Sequence, residues 1–289
     1  MANDQWLARV QEETLEPDLP ICDPHHHLWD HPGSRYLLDE LLEDIGSGHN
    51  VVNTVFVECS SMYRADGDPN YRVVGETEFV QGIAAMSASG GYGNCRAAAG
   101  IVSTADLNLG AKVRDVLEAH IAASPNRFRG IRHAAGWHDS DHIRNSHSQP
   151  FKGMMMDKTF REGFAQLQDL GLSFDAWFYH EQLPEFVDLA GAFPETTIIL
   201  DHFGGPLGIG PYAGQADAVF DAWRASIEPL ATLTNVHFKL GGINMKINGF
   251  GWHDRELPPS SDELVEATRR YYDFCIDTFG ADRCMFESN

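Results

Sequence analysis

Residues 19–27 read LPICDPHHH, a short apolar run that ends on three consecutive histidines. Side chains two apart on a strand point to the same side, so His25 and His27 present their rings together while His26 faces elsewhere. Neutral imidazoles are common ligands of zinc and similar divalent ions. A strand that ends this way therefore forms one wall of a metal or substrate site.

Seven more β-rich runs follow: VVNTVFVEC (51–59), CRAAAGIVS (95–103), FRGIRH (128–133), LSFDAWFYH (172–180), TTIILDH (196–202), NVHFKLG (235–241) and RCMFESN (283–289). Segments with helical periodicity lie between them, at 77–87, 107–123, 157–170, 183–192, 216–233 and 261–279. The last of these opens with Ser260 or Ser261 ahead of acidic residues, a helix-start signal. Alternating strands and helices indicate a parallel sheet wrapped by helices. Eight such units predict an α/β fold, a (β/α)8 TIM barrel, as a single domain over residues 1–289. Residues 1–18 form an N-terminal extension, and with no eighth helix after the last strand the chain is expected to be truncated there. An open doubly wound sheet would need a glycine-rich dinucleotide fingerprint after the first strand, and none is present.

The 42 acidic and 21 basic residues give a formal charge of -21, which repels a nucleic-acid backbone and an anionic membrane surface. The expected partner is a small-molecule substrate, with no nucleic acid and no membrane; a homo-oligomer is compatible with the composition. Five scattered cysteines show no CxxC pair or disulfide-like spacing, and no signal peptide is evident, which points to the reducing cytoplasm.

In a parallel barrel, catalytic groups sit at the C-terminal ends of the strands. His25 and His27 end the first run, Glu58 is near the end of the second, His133 ends the fourth, His180 the fifth and His202 the sixth. Glu287 and Asn289 lie on the eighth. A third imidazole would leave a metal site open to water, and His180 is the candidate for that corner. His49, His120, His142, His147 and His253 read as surface histidines.

The stretches ICDPHHHLWD, FRGIRHAAGWH, FDAWFYHEQLPEFVDLA, TTIILDHFGGP, NVHFKLGGI and DRCMFESN resemble the amidohydrolase-2 family from Ile21 to the last residue. Relatives in that family include pyrone-dicarboxylate lactonases, sugar lactonases and aminocarboxymuconate-type decarboxylases. The resemblance implies a metal-dependent hydrolase TIM barrel. It makes His25, His27 and His180 metal ligands, and His202 the group that polarises the substrate or assists proton transfer. The family's eighth-strand aspartate falls on Asn289, which departs from the pattern.

An amide carries no charge and is a poor base near neutral pH. Glu287 on the same run, or Glu58 on the second, would supply the missing carboxylate, and Glu287 is the preferred one. The expected cofactor is a divalent metal ion, with zinc the first choice. Some similar lactonases work without a tightly held metal, so metal-free operation is the alternative. Arg132 is the candidate clamp for a substrate carboxylate, because a guanidinium can grip one with two parallel hydrogen bonds. His133, Tyr63, Arg64 and Tyr179 are further pocket candidates. The chemistry expected is hydrolysis of a lactone or other cyclic ester or amide of a small carboxylated metabolite. Decarboxylation on the same site, or a degenerate binding barrel, are the rivals. The long segment GFGWHDRELPPSS after the seventh run reads as a lid or a packed loop.

Overall fold

The computed structural model describes residues 4–289. In chain order the strands are β1 (Ile21–His26), β2 (Trp29–His31), β3 (Ser34–Tyr36), β4 (Val51–Val57), β5 (Arg96–Ser103), β6 (Phe128–Arg132), β7 (Ser173–Ala176), β8 (Ile198–Leu200), β9 (Val236–Leu240) and β10 (Cys284–Phe286). The helices are α1 (Asp4–Leu7), α2 (Leu38–Ile45), α3 (Val74–Ala88), α4 (Val113–Ala123), α5 (Lys158–Asp169), α6 (Leu183–Ala192), α7 (Ala216–Ile227) and α8 (Ser261–Phe279). Eight strands share one sheet in the order β1-β4-β5-β6-β7-β8-β9-β10, which is chain order once the β2–β3 hairpin is set aside. The fold is α/β, an eight-stranded parallel TIM barrel, as the sequence predicts. No helix among the described residues is long and apolar enough to cross a membrane.

The chain divides into two compact units. One comprises residues 14–133, 158–175 and 287–289; the other comprises 4–13, 134–157 and 176–286.

In the first unit β1 pairs with β4 (His26 opposite Phe56), β4 with β5 (Phe56 opposite Ile101) and β6 with β7 (Ile131 opposite Phe174). These strands bury their apolar residues against the helices. Phe160 and Phe164 of α5 pack their rings on Phe174 at 6.5 and 5.0 Å, and all three are buried. The hairpin of β2 and β3 turns at Gly33, whose φ of 78° suits a residue without a Cβ. Trp29 stacks on Tyr36 across it at 5.1 Å.

In the second unit β8 pairs with β9 and β9 with β10, both in parallel register. Phe238 of β9 stacks on Phe279 of α8 at 3.8 Å, and the buried Trp223 donates its Nε1–H to the Phe203 carbonyl at 2.7 Å. Helix α8 starts at a capping box. Glu263 receives the Ser260 N–H and Ser260 Oγ receives the Glu263 N–H, which satisfies two otherwise orphaned donors.

The strands are shorter than the runs suggest. β7 stops at Ala176, β8 at Leu200 and β10 at Phe286. His180 and His202 instead open short 3-10 turns, and His202, Phe203 and Asn289 take left-handed φ values of 51°, 57° and 55°. These residues stand in the loops beyond their strands. Helix α2 and the β2–β3 hairpin are elements that the sequence reading did not mark. The expected surface histidine His120 is fully buried. Its Nδ1 lies 2.7 Å from Thr77 Oγ1 and its Nε2 lies 3.0 Å from the Thr104 carbonyl. It faces inward because it falls on the inner stripe of α4, with Val113, Val116 and Leu117.

Candidate functional site

The first unit gathers four of the expected site residues around one imidazole. His25, near the end of β1, is fully buried. Its Nδ1 lies 2.9 Å from Oε2 of Glu287, whose side chain is also fully enclosed. Its Nε2 lies 3.4 Å from Nη1 of Arg132. A guanidinium only donates, so Nε2 is the acceptor and Nδ1 is the protonated nitrogen, at ion-pair distance from the Glu287 carboxylate.

Arg132, the last residue of β6, spends its other donors on Glu58. Its Nε donates to Oε1 of Glu58 at 2.8 Å, and Nη2 donates to the Glu58 backbone oxygen at 2.6 Å. Glu58 itself is tied to the sheet by its N–H to the Val102 carbonyl at 2.8 Å. A buried charge is tolerated where it is both paired and hydrogen-bonded, and this fork provides both.

His27 sits one residue past β1. Its Nδ1 lies 2.8 Å from the Val57 carbonyl, so that nitrogen is the N–H and Nε2 keeps the lone pair. Burial, with the Arg132 charge nearby, holds its pKa down to about 3. The rings of His25 and His27 meet edge to face at 4.9 Å. His26 points away toward Phe56 at 5.9 Å, as strand alternation requires. His27 keeps its Nε2 lone pair open, whereas Nε2 of His25 accepts from Arg132 and would be free for a cation only where the guanidinium turns aside. Imidazoles with one nitrogen held and carboxylates such as Glu287 are the donor types that a divalent cation takes, and Glu287 stands beside His25.

Glu287 is held in place by a residue that the sequence reading passed over. Asp23, two positions before His25, accepts the Ser288 N–H on Oδ1 at 3.0 Å and the Ser288 hydroxyl on Oδ2 at 2.5 Å. It also takes the His25 N–H at 3.3 Å. The signal was present in the DPHHH motif, as an acid on the same strand face as His25. Asn289, the next residue, is exposed.

His133 follows Arg132 directly and faces the helical layer. Its Nδ1 accepts the Leu107 N–H at 3.1 Å, and its ring lies 5.5 Å from Phe160. Tyr63 is half-buried near Glu58 and Glu76, and desolvation followed by these two acids pushes its hydroxyl pKa up. Arg64 is exposed and pairs with Glu78.

The second unit holds the other candidates. His180 accepts the Leu207 N–H on Nδ1 at 3.4 Å and packs edge-on to Tyr212 at 5.1 Å. Burial lowers its pKa to about 4. A cavity of roughly 200 Å³ lies beside it, lined by Glu181, Tyr212 and Gln215 among others. Tyr179 donates its hydroxyl to the Arg144 carbonyl and packs with Ile143 and Leu207. His202 lies 5.1 Å from the Trp177 ring. It is held against Gly242, where an added Cβ would stand 2.4 Å from its Nδ1. The neighbouring Asp201 pairs with Lys239 at 3.1 Å, both buried. The segment GFGWHDRELPPSS lies in this unit, with residues 253–257 exposed. Trp6 and Arg9 donate to the backbone oxygens of Arg255 and Glu256 at 3.0 and 2.8 Å.

Comparison with known proteins agrees with the barrel. An uncharacterised protein of Sinorhizobium fredii, y4mH, is 30% identical over 294 residues, covering 94% of this chain and 85% of that protein. A crystallised amidohydrolase from Burkholderia multivorans with bound zinc superposes with a TM-score of 0.66 at 22% identity, covering 93% of this chain and 83% of that one. A Pseudomonas putida protein described as a candidate 2-pyrone-4,6-dicarboxylic acid hydrolase gives a TM-score of 0.58 at 16% identity, covering 92% and 81%. The amidohydrolase family model matches residues 22–289, and the chain belongs to that family.

Proposed function

We propose that this amidohydrolase is a metal-dependent hydrolase that opens a lactone, or a related cyclic ester or amide, of a small carboxylated metabolite. The observation that carries the reading is the buried chain Glu287–His25–Arg132–Glu58. It sets a neutral imidazole between a carboxylate that fixes its tautomer and a guanidinium of permanent charge. A carboxylated substrate of the kind named for the Pseudomonas putida relative suits such a site.

A divalent ion held by His25 and His27, with zinc proposed, would polarise the carbonyl and lower the pKa of water. The Nη1 edge of Arg132, the part not gripping Glu58, orients the substrate carboxylate. Glu287 is the proposed carboxylate of the site and keeps the His25 ring in place. His180 as a further ligand and His202 as a group that stabilises the oxyanion or shuttles a proton complete the proposal, and each is tested by its own alanine variant.

Element analysis of the purified protein, with a panel of small carboxylated lactones assayed for ring opening, tests the reading. Stoichiometric divalent metal and loss of hydrolysis in His25→Ala are expected. Absence of stoichiometric metal together with an unchanged rate in His25→Ala would overturn it, and carbon dioxide release in place of ring opening would convert it to a decarboxylase.

A further inference from the structure

Glu76, on the first turn of α3, is fully buried and carries no role in the chemistry above. Its Oε1 accepts two backbone N–H groups, from Cys59 at 3.1 Å and from Ser61 at 2.7 Å. Both donors belong to the segment 58–63 that follows β4. Two non-glycine residues of this segment have left-handed backbone, Ser60 with φ 63° and Met62 with φ 55°. Such conformations are strained for residues with a Cβ and persist where surrounding contacts impose them.

Helix α3 supplies those contacts at close range. At Gly75 an added Cβ would stand 2.6 Å from both the Met62 carbonyl oxygen and the Arg64 nitrogen, so the helix approaches the segment backbone to backbone. The first residue of the segment is Glu58, whose carboxylate and backbone oxygen both hold Arg132. Tyr63 stands at its far end.

We infer that Glu76 is a positioning residue for the anion clamp: by receiving the Cys59 and Ser61 amides it sets where Glu58 stands, and through Glu58 the orientation of the Arg132 guanidinium toward His25. One oxygen does this work. Oε2 is buried with no hydrogen-bond partner among the described residues. A single acceptor oxygen can be supplied equally by the amide of glutamine, whereas leucine has none. The inference rests on the reading of Arg132 as a substrate clamp only for its consequence in binding; the structural claim stands apart from it.

The test compares Glu76→Gln, Glu76→Leu and Gly75→Ala with the wild type by two measurements. The first is the Nε–H resonance of Arg132 in the arginine-labelled protein, assigned by its absence in Arg132→Lys. The second is the affinity for glutarate as a carboxylate probe. Glu76→Gln is expected to keep the wild-type resonance and affinity. Glu76→Leu is expected to shift the resonance and weaken glutarate by about ten- to a hundredfold, the range typical of lost support behind a site. Gly75→Ala, which pushes helix and segment apart, should shift the same resonance and covers the case in which Glu76→Leu does not fold. A wild-type Arg132 resonance in a folded Glu76→Leu or in Gly75→Ala overturns the inference. If the wild type itself ignores glutarate, the clamp reading under the proposed function falls, while the resonance still decides the role of Glu76.

Discussion

Oε2 of Glu287 lies 2.9 Å from Nδ1 of His25, with both side chains fully enclosed. A carboxylate that receives the far nitrogen of a ligating histidine fixes the tautomer and raises the basicity of the near one. Glu287→Gln keeps the volume but removes the charge. Zinc affinity by calorimetric titration should fall about ten- to a hundredfold, and a variant that binds zinc as the wild type does would dismiss the pairing as ornamental to the site.

Arg132 reaches Glu58 through two donors at once, to the side chain and to the backbone. Lysine offers a point charge without the fork, and methionine leaves Glu58 buried without its cation. Arg132→Met should therefore lower the free energy of unfolding in urea by about 3–5 kcal/mol, with Arg132→Lys between it and the wild type. Equal midpoints for all three proteins would contradict the pairing described.

His120 supplies a pH dependence remote from the site. Burial lowers its pKa from 6.5 to about 4, so the unfolded chain binds a proton that the native state refuses. The stability it contributes is present above pH 6.5 and is lost as the pH falls toward 4, by up to roughly 3 kcal/mol. Glu76 acts in the opposite direction. Burial first, and Glu58 second, raise it from 4.5 to about 8, so its share is present below pH 4.5 and fades as the pH rises through 8. Urea midpoints followed from pH 4 to 8 should show a shallower acid limb in His120→Gln and a shallower alkaline limb in Glu76→Gln. Unchanged limbs would show that neither group titrates as its burial requires.

Two glycines should respond in opposite ways to alanine. Gly242 has φ 63°, and a Cβ there would meet Nδ1 of His202 at 2.4 Å, so Gly242→Ala must move the ring. A destabilisation of about 1–3 kcal/mol is expected from the strained backbone alone, with loss of any activity that needs His202. Gly82, inside α3, has nothing within 4 Å of the same position, and Gly82→Ala should stabilise by about 1 kcal/mol through helix propensity. Thermal unfolding of both variants distinguishes them, and a stabilised Gly242→Ala would refute the close approach.

The sequence by itself determined the alternation of strands and helices and the facing pair His25 and His27. Both follow from local facts: the period of apolar residues, and the rule that neighbours two apart on a strand share a side. The extent of α6 and α8 was equally legible, since Pro at the first turn of one and the Ser260 capping box of the other mark them locally. Only the tertiary structure decided that β7 and β8 stop short of His180 and His202, which open 3-10 turns instead, with the His202 ring lying close against Gly242. It decided as well that His133 turns to Phe160 and that His120 lies inside. Asp23 binds Ser288 across 265 positions of sequence, and Glu76 holds the segment that aims Arg132. Such partners are chosen by which backbone groups the fold brings within hydrogen-bonding distance, a property that no local pattern of residues carries.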